Sequence, residues 1–198
     1  MFTFTPISKI ITLVLGIALS FSQAASSPVR PNVQINTPTF TQVYDITADL
    51  ISESTIAGPF GGRIMHGFLG GNVTDSNTGA LVGHVISGLG GDFGVVSSVN
   101  AKLYTDLSLI VQWVDDKKFA FLKLDGIGSV ENNRAAATSY ARMETDSLSR
   151  QNLVNSSLLM GMAIPTATSP NATAGYFKLF AKSNPDSVFT GYGSPGVL

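Results

Sequence analysis

Lys102–Val114 reads KLYTDLSLIVQWV, is followed by Asp115-Asp116-Lys117-Lys118, and continues as FAFLKL over Phe119–Leu124. In the first stretch Leu103, Leu107, Leu109, Val111 and Trp113 share one parity, while the other is mostly polar. That is the two-residue period of a strand with one buried face. The four polar residues make a hairpin connection, the chain returns as a second strand, and Asp125-Gly126-Ile127-Gly128 is expected to close the pair.

The same pattern recurs on both sides. Phe40, Gln42, Tyr44, Ile46, Ala48 and Leu50 alternate with Thr41, Val43, Asp45, Thr47 and Asp49. After Gly58-Pro59, Gly61–Asn72 sets Ile64, His66 and Phe68 against Arg63, Met65 and Leu69. Asp75–Gly79 (DSNTG) is a turn, and Ala80–Ser87 is a short strand expected to end at Gly88-Leu89-Gly90-Gly91-Asp92. Ala136–Thr145, Ser156–Ala163 and Gly175–Ala181 complete the set, with a short helix over Glu131–Ala141 as a competing reading. About eight short strands with glycine turns and no long helix predict an all-β fold, a single antiparallel β-barrel over 40–182. The 20 glycines suit its tight corners.

The ends read differently. Met1–Lys9 carries Lys9 and no acid, Ile10–Phe21 is almost wholly apolar, and Ser22-Gln23-Ala24 places small residues before a cleavage site. This is the pattern of a signal peptide over 1–24, with an apolar run too short to span a bilayer as an anchor. A proline-bearing extended leader (25–39) and a C-terminal tail (183–198) flank the barrel. The expected location is the secretory pathway, extracellular or lumenal. Three N-x-S/T sequons, at Asn72, Asn155 and Asn171, fit that route as N-glycosylation sites.

The chain has no cysteine, which excludes thiol catalysis, cysteine-bound metals and disulfides. About 170 residues after the signal peptide are enough to bury one good core without them. Charged residues are 13% and the net charge is −1. No basic run argues for nucleic acid or an anionic membrane. Nucleotide-binding, zinc-protease and serine-hydrolase motifs are all missing, so no cofactor and no metal are expected. His66 and His84 fall on separate strands and do not make a metal site by spacing.

Gly61-Gly62-Arg63, Gly70-Gly71, Gly83 and Gly90-Gly91-Asp92-Phe93, followed by the acidic tip Asp115-Asp116, Glu144-Thr145 and the run Leu153–Gly161, occur in a characteristic order. The order resembles a small β-barrel family of unknown function found in bacteria and fungi. Phe93 replaces that family's usual tryptophan, one residue of the turn is deleted, and the hairpin tip lacks Asp-Gly. On architecture and secretion the chain is also similar to the fungal hetero-Diels–Alderases of tropolonic sesquiterpenoid biosynthesis. The resemblance implies a barrel shaped like a lipocalin or an allene oxide cyclase. It further implies a cofactor-independent cyclase that orients a tropolone quinone methide and a terpene alkene in an apolar pocket.

Within such a barrel, Arg63, His66 and Asp92 are the candidate catalytic residues, with Tyr104 completing an inward polar cluster. Histidine is the residue type suited to proton transfer near neutrality, which makes His66 the acid–base candidate. Arg63, Asp92 and Glu144 read equally well as structural ion-pair positions, and His66 as a hydrogen-bonded structural histidine. Tyr44, Tyr104, Trp113, Tyr140 and Tyr176 are candidate substrate-binding walls, each offering an apolar face with a polar handle. Met160 and Met162 would fill gaps beside them. The rival reading is a secreted, non-catalytic barrel that carries a small apolar ligand. A homodimer is compatible with either. N-terminal sequencing of secreted protein is expected to begin at or near Ala25, and retention of Met1 would refute the processing.

Overall fold

The computed structural model describes residues 32–51, 54–165, 172–186 and 188–190. The chain divides into two compact units. In the unit made of Met1–Asn36 and Asp186–Leu198, strand β1 (Asn32–Gln34) pairs antiparallel with β12 (Val188–Thr190). The expected signal peptide lies outside the described residues.

The unit Thr37–Pro185 is a closed antiparallel β-barrel. Its wall runs β2 (Phe40–Ile51), β11 (Ala172–Lys182), β10 (Leu158–Pro165), β9 (Arg134–Thr145), β8 (Phe119–Glu131), β7 (Lys102–Trp113), β5 (Leu81–Asp92) and β4 (Gly61–Asp75), and β4 closes on β2. Two short strands, β3 (Ser54–Gly58) and β6 (Val95–Ser97), flank the first half of β4. All the barrel pairs are antiparallel, so one parity of every strand faces inward and the other faces out.

The inward parity is the one expected from Lys102–Val114. Leu103, Leu107, Leu109, Val111 and Trp113 are each 0–1% exposed. They meet Ile46, Phe68, Leu122, Leu124, Met143, Leu158, Met160 and Leu179 in one continuous core. Burying each large aliphatic side chain contributes about 1.5–3 kcal/mol, which is how a chain without disulfides stays folded.

Three expectations about boundaries need correction. Asp125–Gly128 does not close a hairpin; β8 runs through it to Glu131, and the turn is made by Asn132 and Asn133 at φ 50° and 58°. A Cβ on Gly128 would sit 2.0 Å from the Ala136 carbonyl oxygen, so glycine here permits a close approach of β8 to β9 rather than a turn. Likewise Gly88–Asp92 does not end β5. The strand bulges between Val85 and Gly90, with Gly90 at φ +84° and room for no Cβ against the Ser108 carbonyl oxygen. Leu153 and Val154 belong to a helical turn, α1 (Gln151–Val154), and the strand expected from Ser156 starts at Leu158. Glu131–Ala141 forms no helix: Glu131 ends β8, Asn132 and Asn133 turn, and from Arg134 the chain is strand with Ala137, Ser139 and Ala141 alternating inward.

One end of the core is covered by Leu148–Val154. Leu153 joins the core, and the Arg150 guanidinium lies 4.1 Å from the Trp113 ring centroid. Arg150 Nη1 donates to Asp115 Oδ2 at 3.0 Å and to the hydroxyls of Ser147 and Ser149. Its hydrogen bond holds the Asp115 carboxyl below the usual carboxylate range, and a hydrogen bond from the Ser147 hydroxyl does the same for Asp116. Arg150→Ala is expected to destabilise the barrel by about 2–3 kcal/mol through lost charged hydrogen bonds and ring stacking. Arg150→Lys is expected to recover only part of the loss, since all three hydrogen bonds leave the one nitrogen Nη1 but an ammonium cannot lay a planar face on the Trp113 ring. Thermal melting of both variants checks this; an unchanged Tm for Arg150→Ala would refute it.

Candidate functional site

The residues expected to act together separate onto two faces. His66 on β4 and Asp92 on β5 are register partners and both point inward, 8% and 2% exposed. His66 Nδ1 is buried without a hydrogen-bond partner. The Asp92 carboxylate accepts the Gly94 amide at 3.1 Å. Burial pushes the Asp92 pKa up, while the Gly94 hydrogen bond and the nearby His66 oppose the shift. Thr105 and Ser139, also buried, share a hydroxyl hydrogen bond of 2.9 Å toward the opposite end of β7 from Trp113. Four polar side chains thus face a largely apolar interior.

Arg63 and Tyr104 do not join them. Each lies on the outward parity, next to an inward neighbour. Arg63 is exposed and donates from Nη1 to the Phe93 carbonyl at 2.7 Å, tying the β5–β6 turn to β4. Tyr104 is exposed, and its hydroxyl accepts from Asn100 Nδ2 at 3.1 Å. The five aromatics also part company. Tyr44 and Trp113 stack at 5.7 Å at the covered end of the core, with the Trp113 indole N–H donating to Thr145. Burial raises the Tyr44 pKa against the pull of Arg150. Tyr140 and Tyr176 are exposed on the outside. Glu144 makes a surface pair with Arg142 at 3.2 Å, and Met160 and Met162 belong to the core. Of the sequons, Asn72 is exposed with its Oδ1 on His84 Nδ1 at 3.1 Å, Asn155 is exposed after α1, and Asn171 lies outside the described residues.

Tyr176 belongs to a concavity that the strand pattern did not announce. A trough of about 750 Å³ crosses the outer wall from β2 to β8 and reaches the start of β7. Two outward rows define it. In one, Thr47, Tyr176, Ala163, Ala136, Ser129 and Lys102 follow one another across adjacent strands. In the other, Asp45, Lys178, Gly161, Thr138 and Ile127 do so. Gly161, Ala163, Ala136 and Thr138 make a low floor, and Tyr176, Phe180 and Ile127 stand above it. A Cβ on Gly161 would meet nothing closer than Phe180 Cε2 at 4.0 Å, so the space there is open. The signal in the sequence was small residues repeating every second position on the parity that usually carries large polar side chains. Among the described residues no group of three His, Asp or Glu side chains could hold a metal.

No protein-family model matches the chain, and no curated protein does. Three solved structures share the barrel. A protein of unknown function from Clostridium acetobutylicum is 18% identical, covers 75% of this chain and 99% of its own, and superposes with a TM-score of 0.60. A conserved protein of unknown function from Rhodopseudomonas palustris is 19% identical, with coverages of 73% and 99% and a TM-score of 0.58. A β-barrel-like protein from Acinetobacter baumannii is 15% identical, with coverages of 76% and 100% and a TM-score of 0.56. These neighbours agree with a barrel domain of unknown function and show the fold.

The buried Asp92 generates a pH prediction. Its pKa is raised in the folded state above 3.8, so its neutral form is the one the fold prefers. That contribution is fully present below the unfolded value and is lost as pH rises through the folded one. Asp92→Asn, which keeps an oxygen for the Gly94 amide, is therefore expected to raise Tm at pH 7. The gain should shrink to nothing as pH falls toward 3.8. A lower Tm at pH 7 would show that the ionised carboxylate is held favourably.

Proposed function

We propose that the protein is a secreted β-barrel that binds a small apolar molecule in the trough on its outer wall. The trough itself carries the reading. Its volume of about 750 Å³ falls within the roughly 300–1,000 Å³ of ligand sites, and its lining has the expected character, mostly apolar with a few polar groups. The outward face of an antiparallel sheet is ordinarily polar, yet here Tyr176 and Ile127 stand 53% and 57% exposed beside a floor of glycine and alanine. A small floor between tall walls accommodates a flat or extended ligand. The upper barrel interior is already occupied, with Leu109, Val111, Leu122, Met160 and Leu179 at 0–1% exposure. In this reading Asn72 and Asn155 carry glycans on the same secreted chain.

One observation favours a catalytic reading. His66 offers an unpartnered buried nitrogen beside Asp92, and both face the barrel interior. A cofactor-independent cyclase of the hetero-Diels–Alder type would use such a pair for proton transfer while orienting a tropolone quinone methide against a terpene alkene. Orientation alone can supply about 7–11 kcal/mol of the barrier. In that reading His66→Ala slows cycloaddition by roughly 100-fold or more. Unchanged rate and stereochemistry in the presence of the protein would leave binding without catalysis.

The binding reading is tested by filling the trough. Gly161→Leu adds a side chain to the open floor of an outward strand position, where glycine is the weaker strand former. The variant is expected to melt no lower than the wild type and to lose at least about tenfold in affinity for apolar ligands, an effect of the size that occluding a ligand subsite produces. Equal binding by the two proteins would refute the outer site.

A further inference from the structure

The lining of the trough carries three charges: Asp45, Lys178 and Lys102. Two of them offset each other, since Lys178 Nζ lies 3.7 Å from Asp45 Oδ1 and also donates to Gln42 Oε1 at 3.4 Å. Lys102 is different. Its ammonium has no hydrogen-bond or ion-pair partner among the described residues, and Glu131, the acid nearest in register, is diagonal to it on β8 and forms no ion pair with it. Asp106 is tied to Lys123, and the residue directly opposite Lys102 is Ser129. The Ser129 hydroxyl lies on the same outward row, one strand across.

We propose that the trough is a site for an amphipathic anion, an apolar carboxylate whose head group is held by Lys102 with Ser129 and whose tail lies across Ala136 and Ala163 toward Tyr176. The inference rests on the binding reading and specifies its ligand. An ammonium beside a hydroxyl at the end of an apolar channel supplies charge-assisted hydrogen bonds to carboxylate oxygens. The row from Lys102 on β7 to Tyr176 on β11 crosses four strand spacings, or about 19 Å at roughly 4.8 Å each, the span of a long-chain acid. A neutral apolar molecule would gain nothing from the exposed Lys102 charge, which water otherwise solvates.

The test titrates the full secreted chain at low salt with palmitate and with hexadecanol, each below its aggregation threshold. Palmitate is expected to bind about tenfold more tightly, a difference that corresponds to one charged hydrogen bond. Lys102→Met, which keeps the apolar stem, is expected to reduce palmitate to the affinity of the alcohol, and raising salt is expected to narrow the gap in the wild type. Equal affinities of acid and alcohol for the wild type would overturn the anion site while leaving apolar binding in place. Failure of both ligands to bind would overturn the trough as a ligand site altogether. A wild-type oligomer that Gly161→Leu dissociates would also overturn it, by showing that a second copy occupies the face.

Discussion

Pairing of β2 with β4, residue against residue from Tyr44↔Asp75 to Leu50↔Phe68, converts a twisted sheet into a barrel. Every other property follows from that seam. Once the sheet closes, no long edge is left unpaired and each strand has one dry and one wet face. The inward parity must then fill a cylinder, and Trp113, Phe68, Met143 and the leucines do so. The outward parity is released from packing and can be spent on a surface feature. The cost of closure is local: β5 bulges at Gly90, and Gly128 lets β8 approach β9 closely.

The covered end explains the one buried cation among the described residues. Arg150 would be costly under the core cap without partners. It is held by Asp115, Ser147 and Ser149 on one side and the Trp113 face on the other. The acidic hairpin tip Asp115-Asp116 is therefore structural here: it reaches from β7 to the Leu148–Val154 segment and locks it down. Beside the middle of β7 the buried polar pair is less well compensated. Asp92 is held by backbone amides alone, and His66 has an unmatched nitrogen. Such groups cost stability.

Much of the fold was legible because the barrel obeys a two-residue period and because Lys102–Val114 shows it without interruption. What misled was glycine. In Asp125–Gly128 and Gly88–Asp92 the sequence carries the residues of turns, but the same residues serve bulges and close strand approaches inside a barrel. Only the register of neighbouring strands distinguishes the two uses. The site was less legible for a related reason. Parity placed Arg63 opposite His66, yet a shared cluster was expected of them, and the structure puts Arg63 outside on the Phe93 carbonyl. Tyr176 was identified as a wall, but of an interior pocket. A trough built from residues on β2, β7, β8, β9, β10 and β11 depends on which strands become neighbours, which no local pattern encodes.

The central claim is that an apolar ligand occupies the outside of this barrel rather than its inside. Methyl-resolved NMR during titration with palmitate tests it most directly. The account predicts shifts at the outward methyls of Ala136, Thr138, Ala163 and Ile127, with Leu109, Val111 and Met160 unmoved. Shifts confined to the inward methyls near His66, with the outer row silent, would contradict it.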